Sequence, residues 1–236
     1  MISFVTWLWK GANLAGREFL PAHVNVLRRM VGRHYEAPHR FVCVTDAASG
    51  FDPGIEVFPT PAAALRLAKL PSPEGGRFPS CYRRLWAFSA EAAELGDRLV
   101  VMDVDLVILG DLAPLVARAE PFVGWRPLAG WGGKRRIGGG LYMLTPGARL
   151  DVWTSFQPPG SIAEARAAGF RGSDQAWLSY RLAASCPVWG PEAGLYSIRD
   201  LANGRAALPR DARLVQFNGP VKPWQSPLSW VRANWQ

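Results

Sequence analysis

Two aspartates separated by one residue are the clearest candidates for chemistry in this sequence. Asp103, Val104 and Asp105 lie between the apolar runs VVM and LVIL. Alternation along an extended segment would direct both carboxylates to one side and Val104 to the other. Two carboxylates on one side suit Mg²⁺ or Mn²⁺, which take oxygen ligands and often share them with substrate phosphates. D-x-D also occurs by chance in solvated loops, but the apolar flanks favour a site here, because buried acids are costly unless a cation or polar partners satisfy them.

The elements that must position these acids alternate between strand and helix. Apolar runs and helical periodicity predict strands at residues 2–8, 40–45, 98–102, 122–125, 140–144 and 214–217, and helices at residues 18–33, 65–69, 82–94 and 174–183. Such an order is typical of an open, mostly parallel sheet with helices on both faces. Ligands of these sheets bind outside the carboxyl ends of the strands, which is where strand 98–102 would place Asp103 and Asp105.

Length and composition predict one globular α/β domain. The chain has 236 residues, of which 49% are hydrophobic, and this content excludes a disordered or fibrous protein. No linker or internal repeat divides it, so we expect a single domain over residues 1–236. The apolar runs are too short to cross a bilayer. The widely spaced Cys43, Cys81 and Cys186 form neither a disulfide framework nor a zinc motif and favour a reducing cytoplasm.

Four segments taken in order resemble the metal-dependent GT-A glycosyltransferases, and among these most closely family 8, the relatives of glycogenin and of lipopolysaccharide galactosyltransferases. The segments are CYRRL at 81–85, LVVMDVDLVILG at 99–110, GSDQ at 172–175 and FNGPVKPW at 217–224. The resemblance implies a single-domain GT-A fold with a Rossmann-like, mostly parallel sheet. It divides the domain into a nucleotide-binding half at 1–110 and an acceptor-side half at 111–236. It also implies retaining transfer of a hexose from a UDP-sugar to an acceptor hydroxyl, assisted by Mn²⁺ or Mg²⁺.

The resemblance also implies roles for individual residues. Arg84 would contact the donor, Asp103 and Asp105 would bind the metal, and Lys222 would meet the diphosphate. Asp174 and Gln175 would lie beneath the donor sugar at the reacting carbon, although Ser173 and Asp174 could equally form an ordinary helix N-terminus. The remaining donor-binding candidates are Thr6, Trp7, Lys10, Asp46, Val104, Gly139, Gly140 and Gly219. Two bland interpretations stay open: Asp46 is also a common turn residue, and the glycines at 138–140 could form a bulge where a strand begins.

One departure from the family concerns the metal. The family's C-terminal motif is H-x-x-G-x-x-K-P-W, in which the His is the third protein ligand, and Gln216 stands at that position here. The third ligand is therefore expected to be Gln216 or Asn218, and an amide binds Mn²⁺ more weakly than imidazole does. The three histidines, at 23, 34 and 39, lie far upstream and are expected to be structural.

The charge favours anionic partners but names none. Twenty-seven Lys and Arg against 19 Asp and Glu give a net charge of +8, which attracts nucleotides, nucleic acid or an acidic membrane surface. The sharpest basic cluster, Lys134, Arg135 and Arg136, is either a solvated loop or a contact for an anionic acceptor or membrane face. Six tryptophans lie near predicted loops, where rings can stack on sugars or lipid headgroups; they are Trp7, Trp9, Trp125, Trp131, Trp224 and Trp230.

These observations leave several partners open. The acceptor could be a saccharide, a lipid-linked molecule or another hydroxyl compound, and the location cytoplasmic, including the inner membrane face. A rival enzyme hypothesis is glycosylation of modified DNA bases, motivated by the positive charge. A rival from another class is a non-catalytic nucleotide-sugar or carbohydrate-binding protein on a degenerate fold, motivated by the missing His. The oligomeric state has no mark in the sequence.

Overall fold

A central sheet of seven strands organises the computed structural model, which describes residues 1–9, 18–75, 80–128 and 136–236. In chain order the described strands are β1 (Ile2–Leu8), β2 (His39–Thr45), β3 (Glu56–Pro59), β4 (Arg98–Met102), β5 (Leu106–Ile108), β6 (Phe122–Trp125), β7 (Gly138–Leu144), β8 (Val188–Trp189), β9 (Leu195–Ser197) and β10 (Leu214–Gln216). The order in the large sheet is β3-β2-β1-β4-β7-β6-β8. Pairing is parallel from β3 to β4 and between β6 and β8, and antiparallel on both sides of β7. The predicted mostly parallel sheet is confirmed.

A second, smaller sheet has the order β5-β10-β9, with β10 antiparallel to β5 and parallel to β9. The described α-helices are α1 (Pro21–His34), α2 (Ala62–Ala68), α3 (Ala113–Val116), α4 (Leu150–Thr154), α5 (Gly160–Ala167), α6 (Asp174–Leu182) and α7 (Ser229–Asn234). Short 3₁₀ helices cover Tyr82–Phe88, Glu91–Leu95, Pro191–Ala193, Ala202–Gly204 and Pro223–Gln225. Within the described ranges, no helix combines the length and the apolar character that a membrane span needs.

Most predicted elements are present, with shifted ends. Strands 2–8, 98–102 and 122–125 are confirmed, and helix 174–183 ends one residue early. The first helix begins at Pro21 instead of residue 18, because Leu20 is extended and proline's fixed φ suits the first helical position. The predicted helix over 82–94 is wrong: it is two 3₁₀ helices, which Ser89 separates with an extended backbone.

The core fills both faces of the large sheet. Phe4 and Val100 face one cluster, while Val5 and Val101 face the other, as the alternation of side chains in strands requires. Helix α1 and the small sheet cover the first face. The 3₁₀ helix Tyr82–Phe88 and helix α6 cover the second. Elements from the first and the second half of the chain therefore pack together on the faces of the large sheet.

The D-x-D segment connects the two sheets. Residues 103–105 form the turn between β4 of the large sheet and β5 of the small one, so the expected extended conformation is wrong at these positions. Val104 is buried in the core, which anchors the turn. Strand β1 has β2 on one side and β4 on the other. The acids consequently follow a strand at the point where the strand order reverses, the usual ligand crevice of such sheets.

Candidate active site

Arg84 is the centre of the candidate site. Its guanidinium is buried, Nε donates to Asp174 Oδ2 at 2.7 Å, and Nη1 donates to Asp103 Oδ1. The 3₁₀ helix brings Arg84 in from one face, α6 supplies Asp174 with its first residue, and the end of β4 supplies Asp103. Burial alone would lower the pKa of Arg84, but the two carboxylates outweigh it and hold that pKa above its usual value. The arginine is therefore a fixed cation between two acids.

The second acid of the pair meets a second cation. Lys222 Nζ donates to Asp105 Oδ2 at 2.5 Å and to the carbonyl oxygen of Phe217 at 3.0 Å. The other oxygen of Asp105, Oδ1, is buried and has no hydrogen-bond partner among the described residues. A buried carboxylate oxygen without a partner is costly, and it is the kind of atom that a bound cation satisfies.

The structure distinguishes the two candidates for a third metal ligand. Gln216, the last residue of β10, donates from Nε2 to Asp103 Oδ2 at 3.0 Å. Asn218 lies elsewhere: its Oδ1 accepts a hydrogen bond of 2.7 Å from Ser197 Oγ. The amide beside the acids is thus that of Gln216.

Two glycines of β7 make room for this cluster. A Cβ on Gly140 would lie 1.6 Å from Gln216 Nε2 and 2.7 Å from Asp103 Oδ2. A Cβ on Gly139 would lie 3.0 Å from Arg84 Nη2 and 3.2 Å from Gln175 Cβ. Contacts under 3.0 Å cannot be kept, so a side chain at position 140 would displace the amide and the acid. The glycines are the wall against which the polar side chains meet.

Asp174 and Gln175 begin α6, as predicted, but Ser173 does not cap it. The Ser173 hydroxyl accepts a hydrogen bond of 3.0 Å from the Cys81 backbone N–H, which ties α6 to the start of the 3₁₀ helix. Gln175 donates from Nε2 to the carbonyl oxygen of Arg171 at 3.2 Å. The alternative in which Ser173 caps α6 therefore lacks its hydrogen bond, and Ser173 instead positions the two elements that carry Arg84 and Asp174.

The acids differ from ordinary surface carboxylates. Burial, with the neighbouring charges of Asp105 and Asp174, raises the pKa of Asp103 to about 6 against the lowering effect of Arg84. Burial also raises the pKa of the Cys81 thiol to about 12. The thiol is therefore protonated at neutral pH and unsuited to nucleophilic catalysis, which leaves the carboxylates, the amides and the two cations as the chemistry of this site.

Comparisons with known proteins establish the fold of this chain. No protein-family model matches the chain, and no curated protein matches it. A solved structure of the galactosyltransferase LgtC in complex with donor and acceptor sugar analogues matches with a TM-score of 0.64 over 98% of this chain and 93% of that chain, at 14% identity. An active-site mutant of LgtC matches over the same shares with a TM-score of 0.65 and 14% identity. This chain has the GT-A fold. The resemblance stated from the motifs is confirmed at the level of the fold.

Several predicted donor-binding residues are not grouped with the ion pairs of this GT-A chain. Thr6 and Trp7 are buried inside the sheet, and Trp7 packs against Trp86 with ring centroids 6.4 Å apart. No described contact joins either to the cluster. The φ angle of Gly219 lies outside the left-handed region, and a Cβ there would come no closer than 3.6 Å to another side chain. Lys10, Trp131, Lys134 and Arg135 lie outside the described residues.

Two of the three histidines, His23 and His39, are held by aromatic contacts. His23 stacks on Trp224 with ring centroids 3.8 Å apart, and its Nδ1 accepts a hydrogen bond of 3.1 Å from the Leu20 backbone N–H. His39 packs edge-on against Phe4. Their structural roles agree with the expectation, and His23 holds a residue of the KPW segment in place.

Arg83 is a residue that the sequence analysis did not predict for the site, whereas Trp9 is one of the six tryptophans expected near loops. The Arg83 guanidinium carbon lies 4.4 Å from the centroid of the Trp9 ring, a cation–π contact. Burial lowers the pKa of Arg83, which the charge of nearby Asp46 opposes. Trp9 directly follows β1 and Asp46 directly follows β2, so the three side chains meet at the carboxyl edge of the GT-A sheet. The available signal was Trp9's position just after the end of a predicted strand.

The residues present fit a hard divalent cation in part. Asp103, Asp105 and Gln216 offer oxygen atoms, the ligands that Mg²⁺ and Mn²⁺ prefer, and Asp105 Oδ1 is without a partner among the described residues. In all the ranges that the structure describes, no group of three or more His, Cys, Asp and Glu side chains is arranged to hold a metal. In the described residues, Asp103 and Asp105 thus supply the carboxylate oxygens, and Gln216 directs its amide nitrogen to Asp103.

Proposed function

We propose that this protein is a glycosyltransferase that moves a hexose from a UDP-sugar to an acceptor hydroxyl with the help of a divalent cation. The observation that carries the proposal is the alternation of Arg84, Asp103, Asp105 and Lys222 at the strand-order reversal of a GT-A sheet. Two cations and two acids at one edge match the charges of a diphosphate and its counter-ion. The GT-A fold that it shares with a galactosyltransferase supports the reaction class.

Each residue has a role that its chemistry supports. Arg84 and Lys222 would bind diphosphate oxygens, because guanidinium and ammonium groups donate several hydrogen bonds to anions. Asp103, Asp105 and the Gln216 amide would hold Mg²⁺ or Mn²⁺. When bound, that cation would act as a Lewis acid on the departing nucleoside diphosphate. Retention at the anomeric carbon stays an implication of the family resemblance.

Asp174 and Gln175 would lie at the donor sugar. Asp174 is 2% exposed and is fixed by Arg84, so its position is determined before any substrate binds. Gln175 is half-buried at the edge of the same cluster. Trp9, Arg83 and Asp46 form a polar and aromatic group at the carboxyl ends of β1 and β2 that suits the nucleoside part of the donor.

The decisive experiment measures thermal unfolding with UDP, UDP-sugars, GDP and CMP, each with and without Mn²⁺ or Mg²⁺. A ligand that binds only the folded state raises stability by about 2.7 kcal/mol at a concentration of 100 times Kd. We expect one UDP-sugar to raise Tm in a cation-dependent way, and Asp105→Asn to abolish the increase. Asp97→Asn is the matched control, since Asp97 pairs with the N-terminus at an exposed site.

Other outcomes separate the rival functions. No shift with any nucleotide would refute the transferase proposal. A nucleotide-dependent shift without turnover of any donor would favour the non-catalytic binding protein. Salt-sensitive binding to duplex DNA would favour the nucleic-acid acceptor.

A further inference from the structure

The two aspartates of the D-x-D segment already accept hydrogen bonds from this chain's own donors. Asp103 Oδ1 accepts from Arg84 Nη1, and Asp103 Oδ2 accepts from Gln216 Nε2 at 3.0 Å. Asp105 Oδ2 accepts from Lys222 Nζ at 2.5 Å. Among the described residues, only Asp105 Oδ1 of these four carboxylate oxygens has no partner. A divalent cation that binds to this segment must therefore compete with donors that the protein itself supplies.

Lys222 is the direct competitor at Asp105. The side chains of Lys222 and Asp105 are only 12% and 5% exposed, so little water screens the charges between them. The two oxygens of one carboxylate are close neighbours. A divalent cation on Asp105 Oδ1 would consequently lie within a few ångströms of the ammonium on Oδ2, and like charges at that separation repel strongly where water is scarce. The ammonium and a divalent cation thus exclude each other at this carboxylate.

Lys222 is also the cation of this site that can most easily leave its acid. Arg84 is held by two carboxylates from different elements, whereas Lys222 has one carboxylate partner and donates to the carbonyl oxygen of Phe217, five positions away on the same segment. Pro220 and Val221, which precede it, are exposed. Its flexible four-carbon stem lets the ammonium exchange acceptors while the backbone stays in place.

We propose that Lys222 makes cation binding at Asp105 depend on the nucleotide. In the free protein the ammonium holds Asp105 and keeps a divalent cation out. When a nucleoside diphosphate binds, its phosphate oxygens attract the ammonium, and Asp105 becomes available to the cation. This role rests on the proposed transferase function and adds to it the residue that couples the two ligands. Such coupling is reciprocal, so the cation at Asp105 also favours Lys222 on the diphosphate.

The test measures Mn²⁺ binding to the full protein from the EPR signal of free Mn²⁺, without nucleotide and with saturating UDP. We expect the wild-type protein to bind Mn²⁺ more weakly without UDP than with it. Lys222→Gln keeps a hydrogen-bond donor near Asp105 but removes the charge, so without UDP it should bind Mn²⁺ about tenfold more tightly than the wild type does.

The same substitution should have the opposite effect on the nucleotide. Without Mn²⁺, Lys222→Gln should bind UDP more weakly than the wild type, because the diphosphate loses a cation; calorimetry measures this affinity. A purely structural role of Lys222 would not raise one affinity while lowering the other. Lys69→Gln is the matched control: Lys69 lies exposed directly after α2, and its loss removes the same charge and should change neither affinity.

Thermal unfolding gives a second measurement that does not depend on UDP. Lys222→Met leaves Asp105 buried without its ammonium, which should lower Tm. Mn²⁺ should then raise the Tm of Lys222→Met more than it raises the Tm of the wild type, because the cation compensates the charge that the lysine no longer balances.

Three outcomes would overturn this role of Lys222 while the transferase proposal stands. They are an unchanged or weaker Mn²⁺ affinity of Lys222→Gln without UDP, equal Mn²⁺ affinities of the wild type with and without UDP, and an equal increase in Tm of Lys222→Met and wild type with Mn²⁺. Failure of the wild-type protein to bind UDP would overturn both proposals. Failure to bind Mn²⁺ even with UDP would overturn this role and the cation assistance in the proposed function.

Discussion

Arg84 shows how a single residue determines the character of this site. It is 6% exposed and contacts two acids from different elements. Its charge compensates the buried Asp174 and also Asp103, which accepts a further hydrogen bond from Gln216. A buried ion pair is costly to assemble, but removing one member is far more costly, because the remaining charge loses both water and partner. The same arginine therefore stabilises the fold and presents a cation to an anionic ligand.

Replacing Arg84 should reveal the first of these roles. Arg84→Met should lower the free energy of unfolding by about 3–5 kcal/mol, since it leaves Asp174 buried and uncompensated. Arg149→Met is the matched control: Arg149 pairs with Asp151 at 2.9 Å, but the pair is partly exposed, and its loss should cost about 1 kcal/mol or less. Chemical denaturation measures both. Equal losses in the two variants would show that burial of the Arg84 pair contributes nothing.

At the scale of elements, β7 acts as a wall for side chains from three other segments. A Cβ on Gly139 would lie against Arg84, and a Cβ on Gly140 would clash with Gln216 and Asp103. Glycine in a strand normally weakens it. Here the close approach of polar side chains requires glycine. The pairing of β6 with β7 also shifts register between Gly124 and Trp125, so the expected strand irregularity and the close approach occur together at these glycines.

Adding a methyl group at Gly140 should lower the free energy of unfolding, and a second substitution should restore part of it. Gly140→Ala should cost about 1–3 kcal/mol, because the new Cβ displaces the Gln216 amide from Asp103. The double variant with Gln216→Ala should recover part of that loss by removing the clashing amide, while the close contact with Asp103 Oδ2 remains. Gly32→Ala is the control, since Gly32 lies exposed in α1 with open space around it and alanine there should add about 0.5–1 kcal/mol. Thermal or chemical denaturation of the four proteins decides the point, and a double variant as unstable as Gly140→Ala would contradict it.

What the sequence predicts at this scale depends on the length of the local signal. Strand β1 is predicted to the residue because seven apolar-rich positions form one run, whereas β8 and β9 have two and three residues and give no pattern. The helix expected over 82–94 reflects apolar residues three positions apart, a spacing that both α-helices and 3₁₀ helices place on one face. The Asp103 and Asp105 pair was predictable from its flanks. The contacts of Gln216 and Lys222 with those acids join positions more than a hundred residues apart, which no local pattern contains.

Considered as a whole molecule, the site exists only where the two halves of the chain meet. Arg84 with Asp174, Asp103 with Gln216 and Asp105 with Lys222 each pair a residue before position 110 with one after it. The C-terminal segment is also held by the first helix. Arg33 donates to the carbonyl oxygens of Asn234 and Gln236 at 2.6 and 3.0 Å. The contacts of helix α1 thereby extend to the segment that carries Lys222.

The stacking of His23 on Trp224 makes this long-range attachment dependent on pH. Burial lowers the pKa of His23 below its usual value of 6.5, so the folded protein keeps the ring neutral while the unfolded chain takes up a proton as the pH falls through 6.5. The unfolded state then binds more protons, and stability decreases toward acid pH. His23→Phe preserves an aromatic stack but cannot titrate. We therefore expect the wild-type protein to lose stability relative to His23→Phe as the pH is lowered from about 7 to about 5, measured by denaturation at each pH.

His23→Ala removes the stack itself and should weaken UDP binding more than His23→Phe does, because Trp224 and the neighbouring Lys222 would no longer be held against α1. A difference in stability between wild type and His23→Phe that stays constant across this pH range would show that His23 does not titrate on unfolding, and equal UDP affinity in both variants would show that the stack does not position Lys222.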